Sequence, residues 1–139
     1  MWEPTPAFSL LANYAHTDAE VTNDPQYQGN RLANVARQSA SLFATYEFAR
    51  GAGGQWRTGL GVRHVGKRAG DAANSFENSG YEVADAFVSW DTAWNGRAVR
   101  LQLNVKNLFD KNYVVSSQSP IYVSLGERRQ VVLRAVMDF

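Results

Sequence analysis

The sequence predicts an all-β protein, an antiparallel meander of six strands, and three observations carry that expectation. Apolar residues recur at every second position in almost every apolar stretch, the period of a strand and not of a helix. The connections between those stretches run long, short, long, short, long. The four prolines, Pro4, Pro6, Pro25 and Pro120, fall in the N-terminal lead or the long connections, outside every expected strand.

The first strand is expected over residues 7–18, where Phe8, Leu10, Ala12 and Tyr14 alternate with Ser9, Leu11, Asn13 and Ala15. The second, 39–48, sets Ala40, Leu42, Ala44, Tyr46 and Phe48 against Ser39, Ser41, Phe43, Thr45 and Glu47. In the third, 55–65, Trp56, Thr58, Leu60 and Val62 oppose Arg57, Gly59, Gly61 and Arg63. The fourth, 81–91, opposes Ala84, Ala86, Val88 and Trp90 to Val83, Asp85, Phe87 and Ser89. The split is cleanest in the fifth, 98–108, with Val99, Leu101, Leu103 and Val105 against Arg100, Gln102, Asn104 and Lys106. The sixth, 128–139, gives Val131, Leu133, Ala135, Met137 and Phe139 against Gln130, Val132, Arg134, Val136 and Asp138. Each is about ten residues long, enough for a tilted strand to cross a bilayer.

The short connections, 49–54 and 92–97, hold Gly or Asn-Gly where a tight hairpin needs positive φ. The long ones, 19–38, 66–80 and 109–127, all fall at the opposite end of the meander. Membrane-spanning barrels have that asymmetry of short turns at one rim and long loops at the other.

Composition narrows the function classes. The chain has 139 residues, 45% of them hydrophobic, and its 14 basic and 13 acidic residues leave a formal charge of +1 with no single-sign block. A basic face for nucleic acid is therefore unsupported. With no cysteine there is no disulfide framework, thiolate metal site or cysteine nucleophile. No apolar run approaches the roughly 18 residues of a transmembrane helix. The start shows no basic n-region or apolar h-region, so no signal peptide is expected in this chain.

One face of the strands is nearly free of charge, and the other carries Glu47, Arg57, Arg63, Asp85, Arg100, Lys106, Arg134 and Asp138. Lipid outside and a polar lumen inside account for both. Phe48, Trp56, Trp90, Trp94 and Phe139 lie at the short-turn end as one aromatic girdle, with Tyr14, Tyr113 and Tyr81 available for the other. The alternative is a soluble β-meander that buries its apolar face and binds an apolar ligand, or a protein partner through an open edge.

The final segment, with Val131, Leu133, Ala135 and Met137 leading at alternate positions to Phe139, resembles the C-terminal strand of bacterial outer-membrane proteins that the barrel-assembly machinery recognises. Upstream, Asn107, Leu108, Phe109, Asp110 and, three residues on, Tyr113 resemble a segment of TonB-dependent receptors. Gly126 and Arg129 match the Gly-x-x-Arg that follows it in that family. The stretch from Gly29 through Arg31 to Arg37, followed by Ser39 and Leu42, is similar to one in the ferric-siderophore branch, although Ala33 and Ala36 stand where prolines are often found.

This resemblance implies that residues 1–139 are the C-terminal portion of a transmembrane β-barrel, an incomplete barrel whose plug domain and earlier strands are absent. It implies the bacterial outer membrane as location. The implied partners are outer-membrane lipid, the remaining strands and plug of the same receptor, and the barrel-assembly machinery. A ferric siderophore is the implied ligand of the whole receptor, and TonB would act through the absent plug. Phe109 is expected to anchor at the membrane interface and Asp110 to cap loop backbone. The long connections are then extracellular. The chain alone is not expected to transport, because small closed barrels need about eight strands.

No catalytic group, metal site or cofactor is expected. Gly59 and Gly61 approach a dinucleotide fingerprint but lack its third glycine and open no helix. His16 and His64 stand without ligand spacing, and Asp18, Glu20 and Asp24 lack the spacing of a calcium loop. Ser116, Ser117 and Ser119 have no nucleophile elbow. Tyr27, Arg31, Arg37, Arg68, Tyr81 and Tyr122, in or beside the long connections, are the candidates for contact with an anionic ferric chelate.

Overall fold

A computed structural model describes residues 1–51 and 53–138, the side chains of Pro4, Ala49 and Arg50 excepted. It is all-β, in eleven strands. They are β1 (Trp2–Thr5), β2 (Phe8–His16), β3 (Gln38–Gly51), β4 (Gly54–Val65), β5 (Arg68–Ala69), β6 (Glu77–Asn78), β7 (Tyr81–Trp94), β8 (Arg97–Lys106), β9 (Val114–Ser119), β10 (Tyr122–Leu125) and β11 (Gln130–Met137). Seven form one antiparallel sheet in the order β1-β2-β3-β4-β7-β8-β11, and β5-β6 and β9-β10 are two small hairpins above it.

The six expected strands are all present, with three differences. The N-terminal lead is a strand of its own, so Pro4 does sit in the sheet, in the outermost strand and where the register of β1 against β2 is irregular. An edge strand tolerates a residue without an N–H. The second short connection is tighter than 92–97: Trp94 pairs with Arg97, and Asn95 (φ 50°) and Gly96 (φ 76°) turn the chain by themselves. Positive φ at both central residues is the twist a two-residue hairpin requires. The last strand starts at Gln130, leaving Arg128 and Arg129 in the preceding connection.

Register makes the two faces continuous. Leu10 lies opposite Ala44, which lies opposite Leu60 and then Ala86. Val88 lies opposite Leu103, and Leu103 opposite Leu133. The apolar columns of separate strands thus merge into one surface, and nothing else among the described residues covers it. Leu60 is 48% exposed and Leu133 72%. This is the wrong arrangement for a sandwich, which would bury that face under a second layer. On it Tyr46, Phe48, Trp56 and Trp90 stack in succession at the short-turn end, the last pair with ring centroids 5.7 Å apart. Phe139, expected in the same girdle, lies outside the described residues.

The opposite face is polar, and two ion pairs on it are matched across strands. Glu47 pairs with Arg57 and accepts from Gln55 at 2.8 Å, while Arg100 forks onto Asp91 with its second bond at 3.2 Å. Both ion pairs join residues directly opposite in register, where side chains meet best. Midway along this face Phe87 lies over Gly59 and stacks on Phe43, with centroids 6.2 Å apart. A Cβ on Gly59 would collide with the Phe87 ring. That contact accounts for the two glycines that a nucleotide fingerprint would otherwise claim.

Leu103→Arg therefore places a charge in the middle of the outer apolar surface and should cost about 2–4 kcal/mol in a bilayer. Gln102→Arg, on the polar face, should be tolerated. Denaturant unfolding of the assembled barrel in lipid vesicles checks both. Equal sensitivity at the two positions would reverse the facing assigned here.

Candidate functional site

All three long connections fold into ordered structure at one end of the sheet. The first continues the β2–β3 ladder: the Thr17 N–H donates to Arg37 O at 2.9 Å, and Glu20 bridges Arg31. Its tip is shaped by Asp24, whose Oδ1 accepts from the Gln26 and Tyr27 N–H groups at 2.8 and 2.9 Å. Asp18 pairs with Arg37 at 3.2 Å, so Asp18, Glu20 and Asp24 serve different backbone and side-chain partners.

The second connection is the β5–β6 hairpin, closed by Asp71. Its carboxylate accepts from the Ser75 hydroxyl and from the Ser75 N–H at 2.8 Å. These bonds, the hydroxyl's first, hold Asp71 below the ordinary carboxylate range.

The third connection holds the motif residues, and the structure gives each a place. Asn107, at φ 47° and 3% exposed, donates through Nδ2 to Lys111 O (2.8 Å) and Glu127 O (2.9 Å). Its Oδ1 accepts from the Lys111 N–H at 2.8 Å. One side chain thus joins both ends of the connection. Asp110 accepts from Arg128 Nη2 at 2.6 Å and from the Arg129 N–H at 2.9 Å, capping loop backbone as expected. Arg129 contributes to this contact its backbone N–H, while the guanidinium on Asp110 belongs to Arg128, which the spacing did not single out. Gly126 lies against the Tyr113 ring, where a Cβ would clash. Leu108 donates its N–H to Ala84 O at 2.7 Å, and Phe109 is 77% exposed.

The ligand-contact candidates separate. Tyr122 is exposed and Tyr27 half-buried. Arg31 pairs with Glu77 at 3.1 Å and, like Arg37, keeps an ion-pair partner near the surface. Arg68 is different: it is 1% exposed, donating to Val114 O and, at 2.9 Å, to Val115 O. Its Cζ stands 5.2 Å from the centre of the Tyr81 ring, and Tyr81 packs on Tyr113 at 4.4 Å. This guanidinium is engaged by two backbone carbonyls and a ring inside the loop body. The same packing corrects the second aromatic girdle. Tyr81 lies opposite Val65 on the polar-face column, so Tyr81 and Tyr113 form a stack on that side, and of these three tyrosines Tyr14 stands exposed on the outer column. His64 lies 3.2 Å from Glu82, and Ser117 is buried with its hydroxyl bound to Gly70 O.

Arg128 holds the Asp110 carboxyl below the ordinary carboxylate range, and Asp110 in turn raises Arg128. A carboxylate with a depressed folded pKa stabilises fully above its unfolded pKa and loses that contribution as pH falls through the folded value. The base of the third connection should hold near neutrality and loosen only below about pH 4. Amide exchange at Arg129 across a pH series reads this, and Asp110→Asn should abolish the acid transition. An unchanged transition in that variant would assign it elsewhere.

Residues 2–108 match the family described as TonB dependent receptor-like, beta-barrel. The chain is 41% identical over 132 residues to the ferrichrome outer membrane transporter/phage receptor of Escherichia coli K12, a match covering 94% of this chain and 18% of that protein. It is 33% identical over 125 residues to the ferrioxamine B receptor of Salmonella typhimurium LT2, covering 88% of this chain and 18% of that one. Among solved structures it superposes on the siderophore receptor PiuA from Acinetobacter baumannii with a TM-score of 0.82 at 31% identity, over 97% of this chain and 20% of PiuA. Superposition on BauA, the ferric preacinetobactin receptor of the same organism, has a TM-score of 0.87 at 23% identity, over 98% of this chain and 20% of BauA, and bears on fold alone. The chain spans about a fifth of the length of these proteins. With the family match running from β1 through β8 and an identity of 41% across nearly the whole chain, this chain belongs to the TonB-dependent receptor family, in its β-barrel region.

Proposed function

We propose that residues 1–139 act as the C-terminal portion of the barrel of an outer-membrane receptor that takes up a ferric siderophore. The observation that carries the reading is the sheet itself. It has an uncovered apolar outer face, a polar inner face and three ordered connections at one end. The names of the relatives, receptors for ferrichrome and ferrioxamine B, supply the substrate class. Seven strands leave β1 and β11 each with one unpaired edge, so the remaining strands of the receptor are its first partners. Val131, Leu133, Ala135 and Met137, on the outer column of β11, serve with Phe139 as the signal read by the barrel-assembly machinery. Phe109 sits exposed at the loop end, where it anchors at the lipid interface. Tyr122 and Tyr27 are the candidates for direct ligand contact, with Arg31 and Arg37 as the further, ion-paired candidates in the first connection. TonB acts through a plug outside these 139 residues.

The test is iron uptake in an iron-starved strain lacking its own siderophore receptors. The chain joined to the rest of its barrel and plug should support uptake of ferric iron as ferrichrome or ferrioxamine B, and the chain alone should not. A complete barrel that binds no ferric chelate, by tryptophan quenching on purified receptor, would overturn the reading.

A further inference from the structure

Half of the buried residues among those described lie above the sheet, in the long connections. Arg68, Ala69, Asn78 and Ser117 are between 1% and 6% exposed, and all four belong to the long connections. Asn34, at φ 63°, reaches from the first connection to the third. Its Nδ2 donates to Ser117 O at 2.8 Å and its Oδ1 accepts from the Ser117 N–H at 2.9 Å, so one side-chain amide pairs with backbone as a neighbouring strand would. The Ser117 hydroxyl faces the second connection, donating to Gly70 O and accepting from Asn78 Nδ2, both at 2.7 Å.

Each remaining side of the triangle is closed independently. Between the first and second connections, the Arg31 N–H donates to Asn74 Oδ1 and Asn74 Nδ2 donates to Arg31 O, both at 2.9 Å. The Asn34 N–H adds a bond to Ala69 O at 2.8 Å. Between the second and third, the Arg68 guanidinium spans the carbonyls of Val114 and Val115. Its Nη1 has no acceptor among the described residues, and the charge rests on those carbonyls and the Tyr81 ring.

We infer that the three long connections are one cooperative body, locked at Ser117, that opens and closes as a unit. Freeing any one connection breaks two sides of the triangle at once. Buried groups stripped of their partners keep their desolvation cost, so partial opening is disfavoured against opening all three together. A molecule that touches one connection thereby acts on the other two, without contacting them.

Amide hydrogen exchange, followed by mass spectrometry on the assembled barrel in detergent without any ligand, tests this apart from the transport reading. Ser117→Ala removes the central hydroxyl. Asn34→Gly removes the amide while keeping a residue at ease with positive φ. Each should speed exchange by about tenfold in peptides from all three connections. Asp71→Ala, whose carboxylate bonds act inside the second connection, should likewise speed exchange in all three, because a body that opens as a unit shares one opening free energy. Acceleration confined to the connection that carries each substitution would overturn the inference. If a variant fails to assemble, the wild-type barrel still decides: a denaturant series should give the three connections one common opening free energy, and separate values would overturn the lock.

Discussion

The ladder hydrogen bonds of the large sheet are made between strands, so each strand depends on a neighbour at both sides. In lipid that dependence is absolute, because no water replaces a missing partner. The long registers of β3 with β4 and β4 with β7 satisfy it in the middle of the sheet. At the ends it is unmet among the described residues: β1 pairs there only with β2, and β11 only with β8. The same constraint imposes the strict alternation of side chains. A one-residue slip of β11 against β8 would carry Leu133 to the polar face and Arg134 into lipid, so the register is held by the cost of that exchange.

The connections obey a related rule by other means. Outside its short hairpins the loop backbone has no ladder to satisfy it, and here asparagine supplies partners. Asn34, Asn74 and Asn107 each adopt positive φ, a conformation asparagine tolerates better than other residues bearing a Cβ. Each then turns its amide onto carbonyls and N–H groups of a distant segment. An amide both donates and accepts, so one residue can satisfy a backbone donor and a backbone acceptor together. Ala at these positions would forfeit the turn and the bridge at once. Asp110, also at positive φ, does the equivalent with a carboxylate and therefore recruits Arg128.

The sheet was legible in the sequence because its signal is local and repeated. Leu101, Leu103 and Val105 announce one face within five residues, and the Asn-Gly turn announces its own geometry. β1 escaped because four residues around Pro4 show no alternation to read. The loop body escaped for a different reason: Asn34 and Ser117 are far apart in sequence, and nothing local distinguishes Ser117 from the serines beside it. Arg68 and Tyr81 stood out as loop residues of useful chemistry, yet composition cannot say whether a guanidinium faces solvent or two carbonyls. The motif resemblance reached Asn107, Asp110 and Gly126, whose packing the structure explains. It missed Arg128 because the spacing pointed to the next residue.

The loop body and the sheet meet at an aromatic stack. Tyr81, the first residue of β7, stands on the polar-face column, with the Arg68 guanidinium over its ring and Tyr113 packed beside it. Below it on the same column come Val83, Asp85 and Phe87, and Asp85 accepts the Asn107 N–H at 2.8 Å. β7 is thus the strand on which the second and third connections both rest, one through Arg68 and the other through Tyr113 and Asn107. A shift of β7 along its axis would be felt in the loops through these contacts, and a shift of the loops would load the same strand. The position of β7 between β4 and β8, paired on both sides, gives the loop body a stiff foundation that neither open edge of the sheet could provide.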